Sequence, residues 1–261
     1  MKLSIITVCF NSAHTLQEAI ASVQGQDYGP LEHIIFDGGS SDGSQEIIKR
    51  MAGAPDSKIT RWVSEPDRGI YDAMNKGLAL ATGEVIGFLN ADDIYAGPTV
   101  LRQLMNALRE EHAQCVFADL VYVDPQNTQK VLRYYNSGRF RPSRFRWGWM
   151  PAHPTFLATR TLFDQVGPFS LDYRIAADYE LLIRMLWLHQ ARYAYIPKPL
   201  VHMRAGGVST AGWRHSLLLN REIVAACRAH GMYTNLAMVL SKFPLKLFEL
   251  VQGRLGFSKR H

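Results

Sequence analysis

Four times in the first 100 residues, a short apolar run stops at carboxylates or amides and a helical pattern follows. LSIITVCF, from Leu3 to Phe10, ends at Asn11, and the run around Ile34–Phe36 ends at Asp37. Lys58–Val63 leads into Glu65 and Asp67, and Val85–Leu89 leads into Asn90, Ala91, Asp92 and Asp93. The helical patterns that follow carry Leu16, Ala19, Ile20 and Val23, then Ile47, Ile48 and Met51, then Ile70–Ala81. The fourth, Pro98–His112, carries Leu101, Leu104, Met105 and Leu108. Runs that are apolar throughout belong to strands buried on both faces, and strands alternating with helices form parallel sheets. An α/β chain is therefore predicted, with a mainly parallel central sheet covered by helices. Ligands of such sheets bind beyond the carboxyl ends of the strands, where these polar clusters fall.

A strand at Cys115–Ala118 continues the pattern, which then fails from Asp119 to Pro151, a stretch rich in arginine and aromatic residues. Beyond it the periodicity predicts a strand at Thr155–Ala158, a helix over Tyr179–Trp187, a strand near Tyr193–Ile196, the loop AGGVS and a helix from Trp213 to His230. Thr15 and Glu18 have the spacing of a capping box, with Ser12 an alternative cap for the first helix.

Composition narrows the class. With 47% hydrophobic and 20% charged residues, the chain is globular rather than disordered or fibrous. No apolar run reaches the roughly 20 residues that span a bilayer, and residues 3–10 read as a strand rather than a targeting segment. The expected location is the cytoplasm, with a peripheral position on the cytoplasmic face of the inner membrane left open. Cys9, Cys115 and Cys227 match neither disulfide nor zinc spacing and are expected as small buried apolar groups.

Charge is unevenly placed. Residues 1–100 carry 7 basic and 13 acidic side chains, whereas residues 101–261 carry 22 and 10. Between Asp124 and Asp164 there are seven basic residues and no acidic one. The second half should therefore favour an anionic surface or substrate. No recognition helix, zinc-finger spacing or RNP-like strand accompanies the charge, so nucleic acid is not expected as a partner.

The clusters suggest chemistry individually. Asp92 and Asp93 follow a strand, where carboxylates can hold Mg2+ that takes its remaining ligands from substrate phosphates; bracing the turn or capping a helix competes with that role. Asp37 opens the loop DGGSSDGS, whose glycines permit close backbone approach, yet the loop has neither the dinucleotide fingerprint nor a phosphate-binding lysine. Asp178, where a loop enters a helix, is placed to act as general base or as a cap, with Glu180 in the same first turn.

Together, SIITVCFN, HIIFDGGSSDGS, SEPDRGIYDAMNKGLALATGEVIGFLNADD, MPAHPTF and AADYELLIRM resemble the family 2 nucleotide-diphospho-sugar glycosyltransferases of bacterial polysaccharide biosynthesis. The resemblance implies the GT-A fold, with a Rossmann-like sheet. It places Thr7, Cys9, Phe10, Asn11 and Asp37 at the base and ribose, and Asp67, Arg68 and Gly69 at the nucleotide or diphosphate. Tyr71 to Lys76 flanks the donor. Asn90, Ala91 and Asp92 take the positions of the metal motif, Asp92 holding Mn2+ or Mg2+, and Asp178 is the base of an inverting displacement. Two departures stand out: Asn90 replaces the first aspartate of that motif, and Ala177 precedes Asp178 where a glutamate is frequent.

His202 is a further candidate for the metal, Arg204 and Asp93 for phosphate or acceptor contacts, and His153 for orienting the acceptor. The implied reaction moves a sugar, from a UDP-sugar by preference, to a hydroxyl of a glycan or lipid-linked acceptor. A sugar-phosphate nucleotidyltransferase and a non-catalytic nucleotide- or glycan-binding protein are the alternatives, and the oligomeric state is left open. The expected organisation is a catalytic domain over 1–210, with a donor half to 118 and an acceptor half from 119, and a helical basic extension over 211–261. In that extension Leu236, Val239, Leu240, Phe243, Leu247, Leu250 and Val251 can form an apolar face, which would seat on an anionic membrane or on protein.

Overall fold

The computed structural model describes residues 1–206 and 213–241. Its strands and helices run in the order β1 (Leu3–Cys9), α1 (Leu16–Gln24), β2 (Leu31–Asp37), α2 (Ser44–Ala52), β3 (Ile59–Ser64), α3 (Ile70–Leu80), β4 (Val85–Phe88) and β5 (Asp93–Tyr95). Then come α4 (Val100–Glu110), β6 (Cys115–Val123), β7 (Val131–Tyr135), β8 (Leu157–Thr159), α5 (Arg160–Val166), α6 (Ala177–Ile183), β9 (Tyr193–Arg204), α7 (Trp213–Ala229) and α8 (Leu236–Leu240).

One sheet organises all of this, in the order β3-β2-β1-β4-β8-β6-β9-β5, with β7 beside β6. Its first four strands are parallel, and β1, between β2 and β4, is buried at every position. The expectation of a mainly parallel, Rossmann-like sheet holds only for this half. β8 inserts antiparallel between β4 and β6, β5 runs antiparallel to β9 and β7 to β6, while β6 and β9 are parallel. The sheet is mixed because its second half is closed by short returning strands rather than by helical crossovers.

Helices cover both faces. Leu101, Leu104, Met105 and Leu108 of α4 share one buried cluster with Leu3, Val85, Val116 and Leu120 of the sheet. α3 lies so close to β1 that a Cβ at Gly77 would sit 2.5 Å from Ile6 Cγ2, so only glycine allows this approach. α7 and α8 share the core of the sheet through Ile223, Cys227 and Val239. The described part of the C-terminal region is therefore packed onto the sheet's own core, and residues 242–261, with most of the expected apolar face, lie outside the described residues.

Local expectations fail where tertiary contacts compete. The capping box does not form: Thr15 makes no side-chain cap, and Glu18 pairs with Arg204 instead. β6 runs five residues past Ala118, and β9 extends from Tyr193 past the expected Ile196 to Arg204, so His202 and Arg204 belong to a strand. The break after Asp119 is organised by Asp119 itself. Its buried carboxylate accepts hydrogen bonds from Tyr134 Oη at 2.6 Å, Tyr195 Oη at 2.9 Å and the Ser137 N–H at 2.6 Å.

Candidate active site

Strand ends β1 and β2 form the first wall. Asp37 is fully buried, and its carboxylate accepts from Ser64 Oγ at 2.6 Å, from the Ser40 N–H at 3.0 Å and from Ser40 Oγ. The neighbouring loop is stitched to it: the Asn11 N–H donates to Ser40 Oγ at 2.7 Å, and Asn11 Oδ1 accepts from the Ser41 N–H at 3.0 Å. Asn11 needs a positive φ of 49° to do this, a conformation asparagine tolerates better than most residues. Thr7 and Cys9 lie beneath this surface. Thr7 Oγ1 is 2.9 Å from His33 Nε2, and burial, then Asp37, push the Cys9 thiol far up into its neutral form. Phe10 stands free at 62% exposure, an apolar ring offered to a planar ligand at the strand ends.

The second wall is the loop leading into α3. At Gly38 a Cβ would meet Asp67 Oδ2 at 2.2 Å, with Phe10 Cδ2 at 3.4 Å, so Asp67 and Phe10 converge over a bare stretch of backbone. Asp67 Oδ1 accepts from the Gly69 N–H at 2.7 Å, and Gly69 takes a φ of 120° that a side chain would oppose. Both cations of this segment are tethered. Arg68, three-quarters exposed, pairs with Asp72 at 3.0 Å, and Lys76 pairs with Glu65 at 2.8 Å above the ring of Phe36. They supply positive charge at the mouth while sharing the buried Asp72, which Lys76 also approaches at 3.8 Å.

The fourth strand end holds the carboxylate expected for a metal. Burial raises the Asp92 pKa, a shift that Arg204 and His14 only partly oppose. Beside it, Asn90 Oδ1 is buried with no hydrogen-bond partner. His202 sits on β9 opposite Ile94, half-buried, and burial lowers its pKa and keeps its ring lone pair available. Among the described residues no three histidine, cysteine or acidic side chains form a metal cluster. One desolvated carboxylate and an orphaned amide oxygen suit a hard divalent ion that takes most of its ligands from water and substrate phosphates, so the residues fit Mg2+ or Mn2+.

Asp93 and Arg204 face other tasks. Asp93 is wholly buried, both of its carboxylate oxygens lack a hydrogen-bond partner, and burial and then Asp92 drive its pKa well up. Arg204 is almost fully buried, donates to the Asp92 carbonyl at 2.9 Å and pairs with Glu18. It braces the Asp92 backbone.

On the far side, the loop before α6 faces the start of α3. Arg68, Tyr71 and Asp72 line one side of a cleft of about 650 Å³, and Tyr173, Arg174 and Ile175 line the other. Asp178, in the first turn of α6, accepts from Tyr71 Oη at 3.1 Å and from the Tyr179 N–H at 2.7 Å. His153 is held between rings, 6.2 Å from Phe88 and 6.1 Å from Phe169; burial lowers its pKa, and the nearby Asp178 opposes that shift. Glu180 is different: it is buried and gripped by Arg184 at 2.8 Å and His230 at 2.6 Å. Two partners were not legible in the sequence. Tyr71 reaches Asp178 across 107 residues, and Glu222 accepts the Arg174, Ile175 and Ala176 N–H groups at 2.9–3.0 Å, shaping the loop before α6.

The sequence model described as Glycosyl transferase family 2 matches residues 4–171. An uncharacterized glycosyltransferase of Mycobacterium tuberculosis, Rv1514c, is 34% identical over 185 residues, 70% of this chain and 68% of its own. The structure is similar to that of S. aureus TarS 1–349 in complex with UDP-GlcNAc, with a TM-score of 0.67 at 18% identity over 87% of this chain and 66% of that one. It is also similar to M. tuberculosis glucosyl-3-phosphoglycerate synthase in complex with Mn2+, UDP and glucosyl-3-phosphoglycerate. There the TM-score is 0.62 at 20% identity, over 90% of this chain and 81% of that one. At these identities the structural likeness speaks to the fold.

Proposed function

The chain belongs to glycosyl transferase family 2, and from that premise we propose an inverting transfer of a sugar from a nucleotide-diphospho-sugar to a hydroxyl of a glycan or lipid-linked acceptor. Its sheet with flanking helices is of the GT-A type. A UDP-sugar is the favoured donor, since TarS and glucosyl-3-phosphoglycerate synthase hold UDP-GlcNAc and UDP. Envelope or exopolysaccharide synthesis at the cytoplasmic face of the membrane is the setting, and no described helix is long and apolar enough to cross a bilayer.

The observation that carries this reading is the placement of Asp178. It is a carboxylate on α6 beside the cleft, tied by Tyr71 to the helix that begins at the donor loop. Phe10 and the Asp37 and Asp67 loops would receive the base and ribose, and Arg68 and Lys76 would face the phosphates. Asp178 would take the proton from the acceptor hydroxyl as its oxygen attacks the anomeric carbon. The bond from that carbon to the diphosphate oxygen then breaks, and the nucleoside diphosphate leaves with the electron pair. One base and an oriented acceptor suffice for this single displacement, so no covalent nucleophile is needed. Mn2+ or Mg2+, held by Asp92 with Asn90 and His202 as neutral donors, would offset the charge of the leaving diphosphate. His153, neutral and clamped by Phe88 and Phe169, would orient the acceptor.

Incubation with UDP-, GDP- and dTDP-sugars, with and without Mn2+, tests the reading through nucleoside diphosphate release. Release from a UDP-sugar that depends on Mn2+ and Asp178 supports it. Formation of nucleotide-sugar from sugar phosphate and nucleoside triphosphate would replace it with the nucleotidyltransferase alternative.

A further inference from the structure

The arginine-rich break in the α/β rhythm does not dissolve into solvent. Pro142–Trp147 folds as a 3-10 turn, rooted by the fully buried Phe145. The ring of Phe145 meets Tyr179 at 5.3 Å, and its carbonyl accepts from the Tyr179 hydroxyl and from Cys227 Sγ at 3.6 Å. Thr234 Oγ1 donates to the Arg146 carbonyl at 2.5 Å, and Tyr135 Oη to the Met150 carbonyl at 2.8 Å. The turn is thus pinned to α6, one residue from Asp178, and to the region after α7.

Above this root lies a cavity of about 600 Å³ lined by Arg139, Ser143, Arg144, Arg146, Trp147 and Trp149, closed by Ser241. None of these residues belongs to the donor site, and none is acidic. Arg146 Nε is buried with no hydrogen-bond partner. A buried guanidinium donor left unsatisfied is costly unless a ligand accepts from it. Three forked guanidiniums and a hydroxyl match phosphate oxygens better than they match a carboxylate-poor glycan. Trp147, 41% exposed, and Trp149 add amphipathic rings suited to the boundary between a charged head and an apolar chain. The sequence after Ser241, outside the described residues, holds Lys242, Lys246, Arg254, Lys259 and Arg260 against the single acidic Glu249.

We propose that this pocket binds the phosphate or diphosphate of a lipid-linked acceptor and delivers that acceptor toward Asp178. The acceptor's part rests on the glycosyl-transfer reading; the binding itself does not. Calorimetry without divalent metal, using farnesyl diphosphate and inorganic pyrophosphate as probes, tests it on the full chain. Farnesyl diphosphate should bind more tightly than pyrophosphate. The double variant Arg144→Gln/Arg146→Gln should weaken both by tenfold or more, about the loss expected for charge-assisted hydrogen bonds. Trp147→Ala should weaken farnesyl diphosphate alone. UDP affinity with Mn2+ should stay unchanged in every variant, which shows that they are folded. Arg144→Gln alone, at an exposed side chain, keeps the test readable if the double variant does not fold. Absence of farnesyl diphosphate binding to the parent, or binding that these variants leave intact, overturns the proposal. Equal affinity for both probes with no effect of Trp147→Ala overturns the lipid assignment and leaves a site for free phosphate. Failure of the parent to bind UDP would count against the donor reading and not against this pocket.

Discussion

Tyr71 Oη lies 3.1 Å from Asp178 Oδ1 and 2.5 Å from the Ile175 carbonyl, so one hydroxyl joins α3 to α6 and the loop before it. Burial, then the Asp178 charge, push the Tyr71 pKa well up, which keeps this hydroxyl a donor. The carboxylate proposed as general base is therefore held by a side chain of α3.

Asp178→Asn should cut transfer by roughly 10²–10⁴-fold, the range that positioned proton transfer supplies, while donor binding changes little. Tyr71→Phe should lower turnover less, because the carboxylate remains but loses its tether. Steady-state kinetics paired with UDP calorimetry separates the two quantities. Transfer by a folded Asp178→Asn variant at more than a tenth of the parent rate would remove Asp178 from the base role.

Glu180→Gln should behave in the opposite way. Its carboxylate is the buried counter-charge of Arg184 and a partner of His230, so the loss should appear as stability. Breaking a buried pair by removing one partner typically costs about 3–5 kcal/mol. A thermal melt should show a clear fall in midpoint, with kcat per folded molecule near that of the parent. An unchanged melt with abolished turnover would make Glu180 a participant in the chemistry.

Asp92→Asn should remove the Mn2+-dependent part of UDP affinity. The carboxylate is desolvated, and the amide oxygen beside it at Asn90 already lacks a partner, so no second anion stands ready to compensate. Titration of UDP with and without Mn2+ reads this directly. A variant whose UDP affinity still rises with Mn2+ as much as the parent's would place the metal elsewhere.

Acid stability should depend on Glu32. Burial alone would raise its pKa, yet hydrogen bonds from Lys2, Ser4 and Thr82 outweigh that and set it at about 2. The folded pKa lies below the ordinary 4.5, so the contribution is complete above about pH 4.5 and is lost as pH falls toward 2. Its size is on the order of 3 kcal/mol. Chemical denaturation across that window should show Glu32→Gln less stable than the parent at neutral pH, with a flatter fall in acid. Equal slopes for the two proteins would contradict the linkage.

The alternation of apolar runs with helical faces was enough to order β1, α1, β2, α2, β3, α3 and β4, because strands buried on both faces and amphipathic helices each leave a local, periodic trace. The same trace marked the strand ends where Asp37, Asp67 and Asp92 stand, and the start of α6 at Asp178. Strand direction in the second half left no such trace. β5 and β8 are three residues each, too short for local pattern to give a direction even where it marks a strand, and their antiparallel pairing with β9 and β4 is set by partners far along the chain. The division of labour among like residues was likewise tertiary. Asp92 and Asp93 are neighbours in sequence, as nearly are Asp178 and Glu180, yet burial and distant partners separate them. Asp92 retains a partly open carboxylate while Asp93 is sealed, and Asp178 meets Tyr71 while Glu180 is gripped by Arg184 and His230. Sequence determines which groups reach the strand ends, because that follows from local pattern. Which of them stay available for chemistry depends on desolvation and on hydrogen bonds spanning 50 to 107 residues, which only the folded chain creates.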